Sequence, residues 1–290
     1  MPYASNNDVH IYYEERGSGY PLVWCHEFAG SHESWEQQLD FFSAHYRVIA
    51  FNARGYPPSA VPEHPSAYTQ QHAVDDLHAV LIHLDITQAH IGGLSMGGAT
   101  ALHFGLQHPA MSRSLIVAGA GTGSTDPELF ATQCEELAER LDRGGMEELH
   151  DYARGSTRVR LERKDETAYE EFARLLMNHS ALGSSMTLRG VQGGRAPLYE
   201  YEMELQALDI PTLVLVGDED EPCLEPALYL KRQVRSSGLV IFPLTGHASN
   251  LEEPELFNQT VLAFLHAAES DRWMAREEGS GAGFLAPHGP

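Results

Sequence analysis

The sequence predicts an α/β fold: a mostly parallel central sheet, flanked by helices and interrupted once by a helical insertion. Short apolar runs alternate with amphipathic stretches along most of the chain, an order typical of parallel sheets covered on both faces. Most runs are continuously apolar, as strands buried on both faces must be. The predicted strands are Val9–Tyr13, Leu22–Cys25, Val48–Phe51, His90–Leu94, Leu115–Ala118, Leu213–Val216 and Leu239–Phe242. The predicted helices are Ser34–Ser43, Thr69–Leu84, Met96–Gln107, Pro226–Val234 and Pro254–Ala268.

The alternation breaks once, between about Gly121 and Leu208, where strand signals stop and the chain becomes charged and helical. We predict a first part of the core at 1–121, a helical cap at 122–208, the second part of the core at 209–270 and a loose tail, rich in Gly and Pro, at 271–290. Seven apolar residues of the cap recur at roughly helical spacing, and they either face the pocket or pack the cap's own core. They are Phe130, Leu137, Phe172, Leu176, Met177, Leu182 and Met186.

Composition excludes some classes of partner. The chain has 290 residues, with Lys+Arg 19 against Asp+Glu 41 and a net charge of -22. Such a charge repels phosphate backbones and anionic lipid surfaces, so we expect no nucleic acid and no membrane as partners. The start of the sequence lacks the basic and apolar regions of a signal peptide, and a cytoplasmic location is therefore expected. A small-molecule substrate is the expected partner, and a homodimer remains open.

The histidines do not form a recognisable metal motif. Sixteen are present, but they are scattered. A zincin needs His-Glu-x-x-His on a helix, and neither His26-Glu27 nor His32-Glu33 has the second histidine. The three cysteines lack paired spacing and are interpreted as ordinary thiols. We therefore predict no metal site.

The pentapeptide Gly93-Leu94-Ser95-Met96-Gly97 carries the clearest chemical signal. It follows the predicted strand that ends at Leu94 and opens a stretch whose composition suits a helix. A serine on a sharp strand-to-helix turn has an exposed hydroxyl, and small neighbours let the backbone segments approach closely. Ser95 is therefore the candidate nucleophile, and it needs a base that removes its proton.

A histidine and a group of acids follow two later strands. His247 comes after Leu239–Phe242, and Gly217-Asp218-Glu219-Asp220-Glu221 follows Leu213–Val216. Because parallel strands present their carboxyl ends at one edge of the sheet, these residues leave the sheet where Ser95 does. The set fits a nucleophile, a base and an orienting carboxylate.

Together these motifs resemble the α/β-hydrolase superfamily, in its capped branch with a Ser-Asp-His triad. The resemblance extends from about Tyr3 to Ala268 and implies the α/β-hydrolase fold with an inserted helical cap. It rests on His26–Gly30, Asn52–Ser59, Gly93–Gly98, Gly217–Asp220, and Gly246-His247 with Glu253-Pro254 beyond.

The resemblance assigns the catalytic roles. The family's G-x-x-D pattern selects Asp220 as the acid, with Asp218 as the runner-up, and the neighbouring glutamates are expected to be solvated. Ser95 would attack a carbonyl carbon, His247 would take and return the proton, and Asp220 would hold the imidazole. This chemistry requires neither a metal nor an organic cofactor.

The resemblance also places an oxyanion hole and a pocket. The backbone N–H groups of Phe28 and Met96 are expected to bind the developing oxyanion. The other predicted pocket residues are His26, Glu27, Leu94, Phe130, Met177, Met186 and Ala248.

Three functions remain open, and hydrolysis of small to medium carboxylic esters or lactones through an acyl-enzyme ranks first. The segment Ser95–Leu102 is similar to the meta-cleavage-product hydrolases, which split carbon–carbon bonds of dienoates from aromatic degradation. Those enzymes usually have asparagine before the serine and tryptophan after the histidine, where this chain has Leu94 and Ala248. Arg189 or Arg195 of the cap could still meet a substrate carboxylate, so this function ranks second. A non-catalytic ligand receptor on the same fold is the alternative of another class.

Glu27 is the main departure from the family's pattern, because the family usually has glycine at this position. Its side chain could face solvent. The sharper hypothesis is an ion pair with Arg54 of the neighbouring strand-end loop, which would neutralise a carboxylate close to the developing oxyanion. On either interpretation Glu27 is a structural residue and not a catalytic acid.

Overall fold

Eight strands form one sheet in the order β1-β2-β4-β3-β5-β6-β7-β8 in the computed structural model, which describes residues 2–155 and 159–277. The pairs β1–β2 and β2–β4 are antiparallel, and all other pairs are parallel, which confirms the predicted sheet. The strands are β1 (Tyr3–Asn6), β2 (Val9–Gly17), β3 (Tyr20–Cys25), β4 (Tyr46–Phe51), β5 (Ala89–Leu94), β6 (Ser112–Ala118), β7 (Thr212–Gly217) and β8 (Ser237–Phe242). The seven predicted strands correspond to β2–β8. The sequence did not predict β1, a short and half-exposed edge strand.

Helices follow most of the strands. The α-helices within the described ranges are α1 (Glu36–Phe42), α2 (Gln70–His83), α3 (Met96–Gln107), α4 (Pro127–Gly144), α5 (His150–Ala153), α6 (Val159–Lys164), α7 (Glu166–Met177), α8 (Ala181–Thr187), α9 (Glu202–Ala207), α10 (Glu221–Gln233), α11 (Ser249–Glu252) and α12 (Pro254–Glu269). Helices α4–α9 all lie between β6 and β7, and no strand occurs among the described residues of this insertion. None of the helices in the described part of the chain is long and apolar enough to cross a membrane.

Two apolar cores cover the two faces of the sheet. Because side chains alternate along a strand, Val23 and Cys25 of β3 face one core, and Leu22 and Trp24 face the other. Helices α2, α3 and α10 contribute to the first core, and α1 and α12 to the second. The central strands are thus buried on both sides, as their apolar sequences predict.

The segment that follows α12 is hydrogen-bonded to the core within the described residues. Trp273 donates a hydrogen bond from Nε1 to the carbonyl of Ser236 at 2.7 Å, and Arg276 donates to the carbonyl of Lys231 at 2.5 Å. These two bonds anchor residues 271–277, the described part of the predicted loose tail, although most of the side chains in this segment are exposed. The remainder of that predicted tail, 278–290, lies outside the described residues.

A buried ion pair fixes the loop that follows β4. The guanidinium of Arg54 makes two hydrogen bonds of 2.7 Å to the carboxylate of Asp76 in α2, and both side chains are almost fully buried. Asn6 of β1 also donates to Asp76, at 2.8 Å, and Arg54 donates to the carbonyl of Ala67 at 2.7 Å. The pair therefore ties this loop to two other elements.

Asp76→Ala is expected to lower the free energy of unfolding by about 3–5 kcal/mol, because it leaves the Arg54 charge buried without its partner. Glu15→Ala breaks the bidentate pair of Glu15 with Arg47, whose side chains are partly exposed, and should cost at most about 1 kcal/mol. Urea denaturation of both variants measures the difference. Equal losses in the two variants would contradict the importance of the buried pair.

Candidate active site

Ser95 lies at the turn between β5 and α3, in a backbone conformation that is strained for a residue with a side chain. Its φ is 56° and its ψ is -114°. Its N–H donates to the carbonyl of Ala118 at 2.8 Å, and its own carbonyl accepts from Ala99 at 2.9 Å. These bonds hold the sharp turn, and strain of this kind is typical of functional sites.

The glycines of Gly93-Leu94-Ser95-Met96-Gly97 are required by contacts at this turn. A Cβ added to Gly93 would lie 2.3 Å from the carbonyl carbon of Gly97. A Cβ added to Gly97 would lie 2.0 Å from the carbonyl oxygen of Cys25, the last residue of β3. Because both positions lack a side chain, α3 begins directly beside the end of β3.

His247 and Asp220 are joined by a hydrogen bond of 2.8 Å from Nδ1–H to Oδ2. Burial alone would lower the pKa of His247, but the charge of Asp220 and this hydrogen bond raise it well above its usual value. The bond also fixes the tautomer that leaves Nε2 free of the Asp220 interaction. The pair has the geometry of a base with its orienting carboxylate.

The neighbouring acids have other positions. Asp218, the runner-up, accepts a hydrogen bond at 3.1 Å from the N–H of Thr245, on the loop that carries His247. Glu219 is not simply solvated, because it forms a bidentate ion pair with Arg160 of the insertion. Glu221 is exposed at the start of α10. Of these acids, Asp220 bonds the imidazole.

Glu252 is a further site residue, which the sequence analysis did not identify. Its buried carboxylate accepts from the N–H of Gly246 at 2.7 Å and from the N–H of Ala248 at 3.2 Å. Burial raises the pKa of Glu252, although these two donors act in the opposite direction. The only available sequence signal was an acid a few residues after the histidine. Glu252 therefore clamps the backbone on both sides of His247.

His26 fixes the loop that follows β3. Its Nε2 accepts from the N–H of Ala53 at 3.0 Å, so Nδ1 carries the proton and donates to the carbonyl of Glu27 at 2.6 Å. Burial lowers the pKa of His26 to about 3, which keeps the ring neutral. The Glu27 carbonyl also accepts from Gly30 at 3.0 Å. Since N–H and C=O of a trans peptide point in opposite directions, these bonds set the direction of the Phe28 N–H.

Cys223 lies beside the histidine–aspartate pair. Its thiol donates to the carbonyl of Gly119 at 3.1 Å. Burial, followed by the charge of Asp220, raises the pKa of this thiol. Cys223 therefore remains protonated and serves as a small buried donor.

A cavity of about 270 Å³ brings Ser95, Asp220 and His247 together with Phe28. The insertion supplies most of the apolar wall, with Phe130, Leu137, Tyr152 and Leu188 among the lining residues. Polar groups of Thr122 and Gln192 also line it. The cavity thus places a candidate nucleophile, a base and an acid beside an apolar chamber.

Six of the seven other predicted pocket residues do not line this cavity; Phe130 does. Leu94 points into the core that covers one face of the sheet, and Ala248 is buried at the start of α11. Met177 and Met186 pack against the apolar cluster of the insertion. His26 and Glu27 are both buried, and His26 holds the loop that follows β3. Helical spacing did not reveal which neighbour each apolar face contacts.

Both interpretations of Glu27 are corrected. The side chain is 1% exposed and does not face solvent. Arg54, the expected partner, binds Asp76 instead, because α2 brings that carboxylate into bidentate range of the guanidinium. Oε2 of Glu27 lies 4.0 Å from Nε2 of His247. The carboxyl group therefore faces the candidate base.

Comparison with known proteins agrees with this architecture. A family model described as the alpha/beta hydrolase fold matches residues 20–254. The chain is 25% identical over 254 residues to 3-oxoadipate enol-lactonase 1 of Acinetobacter baylyi, covering 86% of this chain and 89% of that protein. It is 27% identical over 271 residues to 2-hydroxy-6-oxononadienedioate/2-hydroxy-6-oxononatrienedioate hydrolase of a Pseudomonas species, covering 90% and 92%.

A solved structure shows the same likeness. A thermophilic esterase from Thermogutta terrifontis superposes with a TM-score of 0.80 at 26% identity, covering 91% of this chain and 97% of that one. The names of these proteins share hydrolysis but not one substrate. With its matching family model and its mostly parallel eight-stranded sheet, the chain belongs to the α/β-hydrolase family.

Proposed function

We propose that the protein is a serine hydrolase that cleaves small to medium carboxylic esters or lactones through an acyl-enzyme. The observation that carries this proposal is the strained Ser95 turn in the same cavity as the hydrogen-bonded His247–Asp220 pair. Membership of the α/β-hydrolase family supports hydrolysis as the reaction class.

In each half of the proposed reaction, His247 takes one proton from the nucleophile and returns it to the leaving group. Ser95 Oγ bonds to the substrate carbonyl carbon while Nε2 of His247 takes its proton, and Asp220 stabilises the imidazolium through Nδ1. The C–O bond to the alcohol then breaks, and Nε2 returns the proton to the leaving oxygen. Water repeats the sequence on the acyl-enzyme and releases the acid.

Two backbone donors are suited to the oxyanion. Met96 is the first residue of α3, where helical N–H groups lack intrahelical acceptors and the helix dipole favours negative charge. Phe28 follows the Glu27 carbonyl that His26 and Gly30 hold, so its N–H has a fixed direction. Preorganised donors of this kind are typically worth about 3–4 kcal/mol each in the barrier.

We further propose that residues 122–208 act as a cap over the active site. Helix α4 supplies Phe130 and Leu137 to the cavity wall, and Tyr152 and Leu188 come from later in the same insertion. Apolar walls favour the acyl or alcohol chain of an ester over water. Substrate length would therefore be set mainly by the insertion.

One observation keeps carbon–carbon hydrolysis as the second candidate. Arg195 donates to the side-chain oxygen of Gln192 at 2.5 Å and to the carbonyl of Thr122 at 2.7 Å, and both residues line the cavity. Among the described residues Arg195 makes no ion pair, and burial lowers its pKa. Arg189, the other candidate, is paired with Glu135 and Asp142 on the surface. Arg195 does not itself line the cavity, but it is hydrogen-bonded to two residues that do, and its guanidinium would suit a substrate carboxylate, which dienoates also carry.

Purified protein should hydrolyse p-nitrophenyl acetate and butyrate with a higher kcat/KM than a ring-cleavage dienoate. A fluorophosphonate probe should label the wild type, and Ser95→Ala should be neither labelled nor active. A much larger kcat/KM on the dienoate would reverse the ranking of the two reactions. A wild type that neither turns over nor is labelled would support the receptor alternative.

Asp220→Asn should lower kcat by about 10³–10⁴-fold, because an amide neither stabilises the imidazolium nor enforces the tautomer. Asp218→Asn is the matched control and should lower kcat less than about tenfold, since it weakens one hydrogen bond to a loop N–H. Steady-state kinetics on p-nitrophenyl butyrate measure both. A larger loss of kcat in Asp218→Asn than in Asp220→Asn would show that Asp218, and not Asp220, is the acid of the triad.

Arg195→Met should lower kcat/KM at least about tenfold for the mono-p-nitrophenyl ester of succinic acid, because a charge-assisted contact to the free carboxylate is lost. The neutral butyrate ester should change much less. Arg189→Met is the control and should affect the two esters equally. If Arg195→Met also affects both esters equally, Arg195 only supports the cavity wall.

A further inference from the structure

Glu27 faces the candidate base from the side opposite Asp220. Its Oε2 lies 4.0 Å from Nε2 of His247, and the exposed fractions of the two side chains are 1% and 8%. Asp220 contacts the other ring nitrogen, Nδ1, at 2.8 Å. The imidazole of His247 therefore lies between two buried carboxyl groups.

The loop after β3 is built to hold the Glu27 side chain in this place. The carbonyl of Glu27 is fixed by His26 and Gly30. A Cβ added to Gly30 would lie 3.1 Å from Cγ of Glu27 and 2.6 Å from Oγ of Ser34. The absence of a side chain at Gly30 thus leaves room for the side chain of Glu27.

Other titratable groups near this pair come from several elements. Next to His247, Asp220 and Cys223 of the α10 region both act to raise the pKa of the histidine. Glu252 of α11 interacts with His247 through its charge. On the Glu27 side, burial lowers the pKa of His179 and raises that of Tyr56, so both are neutral near pH 7. The charge of Lys164 in α6 acts to lower the pKa of Glu252.

We propose that Glu27 is a positioning residue for His247: its carboxylate faces Nε2 and stabilises the imidazolium that forms when this nitrogen takes the proton of Ser95. The inference rests on the proposed function, in which His247 is the base. A separation of 4.0 Å is too long for a direct hydrogen bond, so the interaction is one of charge. Asp220 orients the ring, and Glu27 adds a second negative charge on the side where the proton arrives.

The role has a distinct signature in the pH profile. A nearby opposite charge raises the pKa of a histidine, and hydrolysis needs the neutral ring, so activity is lost as the pH falls through that pKa. Removal of the Glu27 charge lowers the pKa of His247. The variant should therefore retain activity to a lower pH than the wild type.

The test is the pH dependence of kcat/KM on p-nitrophenyl butyrate for Glu27→Gln, which is nearly isosteric. We expect its acidic limb to move down by at least about one pH unit. At a pH below both acidic limbs, kcat/KM divided by its plateau value should then be about tenfold higher in Glu27→Gln than in the wild type. Glu33→Gln is the matched control, since Glu33 is exposed in the same segment and its limb should not move.

Glu27→Asp provides a second variant in case the first one folds poorly. This variant keeps the negative charge but moves it away from His247, so the acidic limb of its pH profile should move in the same direction by a smaller amount. Fluorophosphonate labelling shows that each variant has a reactive Ser95, and thermal melting shows that each is folded. An unchanged limb in active, folded Glu27→Gln or Glu27→Asp would overturn the proposal. Activity that survives in Ser95→Ala would instead refute the proposed function, which separates the two failures.

Discussion

The close approach of α3 to the end of β3 determines the geometry of the whole site. Gly97 lies so near the carbonyl of Cys25 that no side chain fits between them. This contact places Ser95, at the start of α3, beside the loop that begins with His26. The candidate nucleophile and the two N–H groups proposed to bind the oxyanion therefore depend on one backbone contact, and a side chain at Gly97 would separate them.

Buried polar groups then fix the loops that this contact brings together. His26 holds the loop after β3 to the loop after β4, Arg54 holds the latter to α2, and Glu252 holds the backbone around His247. Each group would be costly to bury without partners, and each has strong ones. The site is therefore preorganised by contacts among loops, on a sheet that is itself buried on both faces.

Local sequence signals were sufficient for the sheet and for the residues proposed as the triad. Apolar runs mark strands directly, and Ser95, Asp220 and His247 each follow one within a few residues. Their common edge follows from parallel strand order. The missed strand β1 is only four residues long and lies at the edge of the sheet, so burial leaves little pattern in its sequence.

The partners of Glu27 and Arg54 could not be predicted in the same way. Arg54 binds Asp76, which is 22 residues away on a helix, and this pairing depends on how that helix packs. The predictions that Met177 and Met186 line the pocket were wrong for a related reason. An apolar position on a helix does not show whether its side chain faces a cavity or a neighbouring helix. Phe130 of α4, in contrast, lines the cavity as predicted, and so does Leu137 of the same helix.

The proposed function depends on covalent attack by Ser95, and peptide mass spectrometry of the enzyme quenched during turnover of p-nitrophenyl butyrate tests this attack most directly. We expect a butyryl group on the peptide that contains Ser95, formed in a burst and lost as substrate is exhausted. Full turnover without any acyl adduct, or an adduct on a different residue, would contradict it.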